Sequence, residues 1–600
     1  MAFGVRIASK CALLHIEAPF FPRFEGAISL EDGMRESETR RVCRTALDLL
    51  LLLFVTCAIR GESATITVCP AGCDETTIQG AASLANPGDT IEILGSQPHT
   101  ENDIFLTKDV TISGFGTSTT TVQAHPDRGV AVNPVFVVAG GANVTMQSLS
   151  IRYGGGDGGA GVRIADGHLT LDGVMVLMND AVSWGGGVYV GPASTLVAVN
   201  LTRFVNNTAR GGGGICNVGS AEITRGVILS NWASDDGWTE NLGGGIYNGG
   251  TLVLRSSVVQ SNHVQGDTRD GFGGGIHHVG SHLEILGTSV EFNGVTGITS
   301  SGGGLFLDPI SGEVILTGSW IGSNDADDGG GIFLSDGGME MEDCTVVSNT
   351  AAGFGGGMWL DHMMSDTVTI TNSVVAANHA VAGGGMVVYN TGRTLIANST
   401  ISGNSADDDG GGIYESTPGD IEIASATVTD NTADVDGDGF GNGGGVALED
   451  HAGFEMRNTI LAANHDGSSF PSPSAPDCVG VIQSVGYNLV RNLGFPILAC
   501  TIEGDSTGNI LGMDPLLQVL TYNGGPTKTH ALEADSPAVD AGDFNGCLDP
   551  NGVPLETDQR HGIRRDRCDM GAYEASALID PLFWDGFESG DTSMWSGGVR

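Results

Sequence analysis

Two motifs alternate along this chain in one register, and together they restrict its fold more than any other feature. A run of three glycines followed by an apolar residue recurs with its last glycine at 187, 214, 245, 275, 304, 331, 357, 385, 412 and 445. The residues that follow are Val188, Ile215, Ile246, Ile276, Leu305, Ile332, Met358, Met386, Ile413 and Val446. Between consecutive runs lies an apolar residue three places before an asparagine. These pairs run from Val176/Asn179 and Phe204/Asn207, through Val259/Asn262 and Ile321/Asn324, to Val428/Asn431 and Leu461/Asn464. Successive glycine runs are 26 to 33 residues apart. Two interleaved ladders in one register mark a repeat protein.

The unit itself decides the kind of repeat. After Gly243-Gly244-Gly245-Ile246 the chain turns at Asn248-Gly249-Gly250, alternates Leu252 and Leu254, and closes on Val259 and Asn262. Alternation at period two belongs to strands with one buried face. Helical repeats of similar length need unbroken amphipathic stretches, which these glycine clusters forbid, and propeller blades are longer. A coil of about three short strands, each pairing in parallel with its counterpart one turn away, fits the spacing. The expected fold is all-β: a right-handed parallel β-helix over residues 65–470, with an N-terminal cap and a C-terminal capping or anchor-associated domain. Glycines supply tight bends and φ > 0. Asparagines are expected to take the left-handed conformation at the turn and to stack their amides along the axis at ~4.8 Å. The aliphatic residues fill the lumen, each stabilising by roughly 1.5–3 kcal/mol.

Phe204-x-x-Asn207 followed by Gly212-Gly213-Gly214-Ile215 resembles the repeats of chlamydial polymorphic outer-membrane proteins and related bacterial β-helix surface proteins. Beyond Asn464 and the Pro-Ser stretch 470–476, a different set of motifs takes over. It comprises Pro476-Asp-Cys478, Asn523-Gly-Gly-Pro-Thr-Lys-Thr-His530, Asp558-Gln-Arg560 and Cys568-Asp-Met-Gly-Ala-Tyr-Glu574. This set resembles the choice-of-anchor Q domain that ends many bacterial β-helix surface proteins. It departs from that pattern at His561, where a glycine usually follows. The resemblance, over 471–575, implies export and display rather than chemistry. The tail, 576–600, resembles a Phe-x-x-Gly-Phe-Glu-x-Gly-Asp ending found on some exported proteins.

At the other end, residues 1–33 read as an over-called start and 34–64 as a signal peptide, with a basic stretch before the apolar run 46–59 and cleavage near Ala64. The chain is therefore expected to be secreted or held at the outer cell surface. Eight cysteines remain beyond Ala64, and an even number in an exported chain permits disulfides. Proximity pairs Cys69 with Cys73, Cys478 with Cys500 and Cys547 with Cys568, leaving Cys216 and Cys344 free. Residues 65–84 resemble the strand and short helix that enter many secreted β-helices, with the helix expected over Thr77–Leu84.

Composition narrows the partners. The net charge is −45, with 95 glycines in 600 residues. Such acidity disfavours nucleic acid and anionic lipid, and makes polyuronates awkward without bound cations. Extracellular glycans or a host or neighbouring cell surface are the expected partners, for a monomer with no transmembrane span in the mature chain. The chain reads as a non-catalytic protein of adhesion or display, so no catalytic residue is assigned. The alternative is a polysaccharide lyase or hydrolase, because parallel β-helices often host them. Trp359-Leu-Asp-His362 is similar to a pectate-lyase motif but lacks its companion arginine motif. Asp327-Asp328 and Asp407-Asp408-Asp409 read as turn acids, and His277, His278 and His282 as a loose cluster. Basic residues gathered on one strand face would favour the enzyme, whereas aromatics, Thr, Ser and Asn there would favour binding. One stretch points to a metal: Asp434, Asp436 and Asp438 alternate around Gly437 as in Ca²⁺ loops. Position twelve is Gly445 rather than glutamate, so it is not an EF-hand, and a solvated acidic turn fits the same residues.

Overall fold

The computed structural model describes residues 63–577, except 235–239, 267–269, 310–311, 362–365, 390–391, 418–419, 450–452, 469–474, 495–499 and 566. The start and signal readings up to residue 62 and the tail beyond residue 577 lie outside the described residues. The coil around Asn262 shows the plan. Ile246–Asn248 follows the glycine run, Thr251–Arg255 alternates, Val258–Gln260 precedes the asparagine, and His263–Gln265 closes the turn. Each pairs in parallel with the next coil: Ile246 with Ile276, Leu252 with Leu283, Val259 with Val290, Val264 with Val295. We call the resulting surfaces the glycine-led, alternating and asparagine-led sheets, with a short fourth ladder. The asparagine-led sheet reaches 16 strands and the fourth ladder 10. The fold is the expected right-handed parallel β-helix.

Alternation sorts the side chains as it must. Ile246, Leu252, Leu254 and Val259 point inward and are fully buried, while Tyr247 and Val253 face outward. The three glycines of a run serve different ends. Gly243 has φ +63°, a conformation that costs an L-residue. Gly244 and Gly245 are instead needed for close approach, because a Cβ there would sit 2.5 and 2.6 Å from the carbonyls of Gly274 and Gly275 one coil on.

The asparagine column forms one continuous hydrogen-bonded chain inside the wall. Asn231 Nδ2 donates to Asn262 Oδ1 at 3.0 Å and to the Phe204 carbonyl at 2.9 Å. Its backbone N–H donates to the same Asn262 oxygen at 3.0 Å. The column runs from Asn179 to Asn464 and ends on the carboxylate of Asp477, 3.1 Å from Asn464 Nδ2. Burial pushes the Asp477 carboxyl up to about 6. The left-handed turn, however, is not made by these asparagines. It falls one residue earlier, at Ser230, Ser261, Phe292, Ser323 and Ala377, with φ of 53°, 52°, 55°, 54° and 54°. That residue reverses the chain, and the asparagine then aims its amide along the axis.

A second column, unread in the sequence, lines the previous corner. The Ser257 N–H donates to Thr288 Oγ1, Thr288 to Ser319 Oγ, and Cys344 to Ser373 Oγ, at 3.2, 3.2 and 3.0 Å. Cys344 thus holds a hydroxyl position, which explains a free thiol there. Cys216 is also free, both thiols are buried, and the three expected disulfides are present.

A short helix covers the N-terminal end. The helix Ile78–Leu84 starts at the N-cap Thr77. Glu101 accepts from the Ile78 and Gln79 N–H groups, and Lys108 Nζ donates to the carbonyls of Ser83 and Ala85. Opposite charges thus meet the two ends of the helix dipole. At the other end the parallel ladders run past the expected boundary at 470. Cys478–Val485 pairs with Val446–Leu448 and with Phe454–Arg457, and Leu489–Val490 and Ile510–Leu511 extend the asparagine-led sheet. Antiparallel bridges occur, among the described residues, only after Leu516. Residues 514–577 lie against the outside of the asparagine-led sheet. Thr400 Oγ1 donates to Gln559 at 2.6 Å, Arg564 Nη2 to Asn398 Oδ1 at 2.9 Å, and the Ala572 N–H to Thr427 Oγ1 at 3.1 Å.

Candidate functional site

The outward column of the glycine-led sheet carries one residue per coil, and across five consecutive coils it is a row of rings: Tyr247, His277, Phe306, Phe333 and Trp359. Neighbouring ring centres lie 5.5, 4.9, 5.3 and 5.5 Å apart. Parallel register makes this inevitable once each coil places an aromatic at that position, because strand spacing in a sheet is ~4.8 Å. The last three rings are stacked close to parallel, with interplanar angles of 8° and 15°. Phe272 and Phe354, each just before a glycine run, add edges to the row. Trp184 lies across the small Gly211 to reach Tyr247 at 4.9 Å, and the Arg210 guanidinium sits 4.7 Å above Trp184. Tyr247, Phe333 and Trp359 are half-buried and His277 and Phe306 are buried, so the floor meets solvent through three of its five rings.

Polar atoms within this floor are left over. His277 Nδ1 and Trp359 Nε1 are buried without a partner. Burial lowers His277 to about 3, so its ring is neutral at physiological pH. Individual coils gave no sign of the row, since its members are 26 to 30 residues apart. Reading the second residue after each glycine run down the ladder would have revealed it.

The residues singled out in the sequence separate into distinct places. His277 belongs to the floor. His278 points into the lumen, where Asn248 Nδ2 meets its Nδ1 at 2.8 Å and burial lowers it to about 4. His282 lies on the alternating sheet against Glu313, so the three histidines do not converge. Trp359 and Asp361 face outward and Leu360 inward, and His362 is outside the described residues. Asp327, Asp328 and Asp409 accept backbone N–H groups of Ser300, Phe354 and Asn442 at 3.1, 3.0 and 2.7 Å, as turn acids do. His530 is buried beneath the C-terminal segment. Its Nδ1 donates to the Gln518 carbonyl at 2.6 Å, and its Nε2 therefore accepts from Ser402 Oγ at 2.8 Å. That is a packing contact, closed to substrate.

The aspartates of the expected metal loop do gather. One carboxylate oxygen each from Asp434, Asp436 and Asp438 lies within 4.8 Å of the others. Asp434 is fully buried and accepts from Ser468 Oγ at 2.8 Å, while the other two are exposed. Nearby Asp408 is raised above the usual carboxylate range by burial and then by the charges of Asp438 and Asp436.

The motif residues of the C-terminal segment form a buried network. Asp558 accepts from the backbone of Arg560, Gly562 and Glu574 at 2.9 Å each, and pairs with the Arg560 guanidinium, which also lies 3.7 Å from the centre of the Tyr573 ring. Arg564 and Glu574 form a second buried pair.

Comparison with known proteins bears on the fold. Residues 304–492 match the family model described as a right handed beta helix region. No curated protein sequence matches the chain. Among solved structures, that of pectate lyase Pel9A is similar at 14% identity with a TM-score of 0.25, covering 86% of this chain and 97% of that one. At that score the likeness carries nothing about activity. Among the described residues no helix is long and apolar enough to cross a membrane. Family match and coil geometry agree that this is a right-handed parallel β-helix protein.

Proposed function

We propose that the chain is an exported protein of the cell surface or surroundings that binds extracellular glycans and does not cut them. The aromatic floor on the glycine-led sheet carries this reading. The half-buried rings of Tyr247, Phe333 and Trp359 offer apolar surface to sugar rings along one straight row. A row of aromatics on one strand face is the pattern set out above as favouring binding over the lyase alternative. Three disulfides suit an oxidising compartment, and the resemblance of 471–575 to choice-of-anchor Q domains supports display. The test is a glycan array on the chain beginning at Thr65, beside depolymerisation assays on pectate, alginate and chondroitin. Array binding with no release of unsaturated or reducing ends is expected. Sustained release, abolished by a single carboxylate change, would replace this reading with the enzymatic one.

The same reading places Ca²⁺ in the Asp434, Asp436 and Asp438 loop. Three converging carboxylates suit a hard cation, and a chain of this net charge is stabilised when its acidic turns are neutralised.

A further inference from the structure

The layer formed by residues 514–577 stops short of the place where the outer residues of the asparagine-led sheet change character. Its edge lies at Asp343, which His561 Nε2 meets at 2.8 Å. Thr345 and Val347 pair in parallel with the covered Val374 and Ala376, and on their other side with Trp320 and Gly322. None of these last four outer residues is charged, and Glu291 follows only one coil further out, opposite Gly322. Trp320 lies across Gly322, its indole taking the space that a Cβ there would fill, yet it is 37% exposed. Val347 is half-buried. Two coils thus carry the short and apolar outer residues of a covered face, while no described residue covers Trp320. Scattered exposed apolar side chains need no explanation, but this face is continuous with an interface already formed.

The chain itself supplies an occupant. It leaves the covering layer at Ala577, whose N–H donates to the Glu574 carbonyl at 3.1 Å. The Ala577 methyl packs on Gly562, beside His561, where an added Cβ would come within 2.6 Å of it. The exit is therefore at the layer's edge, next to the coil that pairs with Trp320. Leu578, Ile579, Leu582, Phe583, Trp584 and Phe587 follow at once. Coils are ~4.8 Å apart and an extended residue spans ~3.3 Å, so a few residues reach Trp320.

We propose that residues 578–587 continue the covering layer over Trp320 and Val347. The apolar side chains of this stretch bury the exposed indole face, and Glu291 repels Asp580 and Asp585, which limits the cover to these two coils. The contact lies on a different sheet from the aromatic floor and is independent of the glycan-binding reading.

The experiment is hydroxyl-radical oxidation of the full chain, read at each tryptophan by peptide mass spectrometry. Trp232, 41% exposed on the short fourth ladder, is the reference. Trp320 is expected to oxidise at least threefold more slowly than Trp232 in the full chain, and as fast as Trp232 in a chain ending at Ala577. F583S/W584S repeats the test at full length and should expose Trp320 equally. Equal oxidation of Trp320 and Trp232 in the full chain would overturn the proposal, because the face would then be open. Protection that survives both changes would assign the face to another occupant and overturn it too. Protection that fades when the full chain is diluted would mark a second copy of the chain on this face, with the same consequence.

Discussion

From Met175 to Glu291 the outward positions of the asparagine-led sheet meet solvent, and they are occupied by residues such as Arg203, Gln260 and Glu291. From Val374 to Ala462 the same positions are buried beneath residues 514–577, and they are Val374, Ala376, Thr400, Ser402, Thr427, Thr429, Ile460 and Ala462. The inward residue of each strand does not register the difference: Val176, Phe204 and Val259 are as buried as Val375, Ile401 and Leu461. The lumen is thus governed by the repeat alone, while the outer residue reports what lies over it. Long charged side chains would hold a second layer away. Short hydroxyls let it approach, and those of Thr400, Ser402 and Thr427 all bond to it.

The sharpest way to break this comparison is to disrupt the covering layer from within. D558N removes the buried charge that holds three backbone N–H groups and Arg560. Losing one partner of a buried pair costs about 3–5 kcal/mol. The loss should be local: residues 514–577 become sensitive to protease, while amide exchange in the coils before Asn293 stays slow. Equal loosening of those bare coils would show that the covering segment is no separate layer.

Interior substitutions should instead cost the same in both regions. N262A and N404A each remove an amide that both donates and accepts within the column. Orphaned buried groups cost about 1–3 kcal/mol each, so a loss of about 2–4 kcal/mol is expected at either site. A difference beyond about 1 kcal/mol in urea unfolding would mean that the outer layer reaches the lumen.

What the sequence made legible follows the same division. The glycine and asparagine ladders repeat one residue type, so period alone exposed them. The hydroxyl column mixes Ser257, Thr288, Cys344 and Ser373, because any short side chain that accepts or fills the corner will serve, and it went unread. So did the ring row, which joins Tyr, His, Phe and Trp. The docking of 514–577 depends on contacts such as Thr400 with Gln559, 159 residues apart, which no local pattern encodes. The change from Gln260 and Glu291 to Thr400 and Ser402 did carry the signal, but only down the ladder. The left-handed turn was placed one residue late, because Asn tolerates that conformation and Ser261 or Phe292 gives no hint of it.

Calcium sharpens the comparison at one corner of the covered region. If Asp434, Asp436 and Asp438 hold the ion, stability rises by mass action, about 2.7 kcal/mol at a hundredfold excess over Kd. Melting should therefore occur at higher temperature with millimolar Ca²⁺ than with chelator, and the shift should shrink in the D434N/D436N/D438N variant. Equal melting in Ca²⁺ and chelator would remove the ion from this loop.

The smallest effect is expected at the edge of the covering layer, where His561 Nε2 lies 2.8 Å from Asp343 Oδ1. His561 has φ +60°, a left-handed position that a glycine would hold without strain. The histidine is retained there with a compensation, because hydrogen bonding to Asp343 raises its pKa while burial opposes the rise. A histidine whose pKa is higher folded than unfolded stabilises fully below the unfolded value of ~6.5, and loses that contribution as pH rises through the folded value. The pair is 40% and 20% exposed, so the gain is no more than about 1 kcal/mol. D343N should therefore destabilise more at pH 6 than at pH 8.5. H561G should behave oppositely at the two ends. At pH 8.5 relief of backbone strain stabilises it by up to about 1 kcal/mol, and at pH 6 loss of the ion pair cancels that gain. Urea midpoints for H561G that differ from those of the natural chain by the same amount at both pH values would show that this edge is held by packing alone.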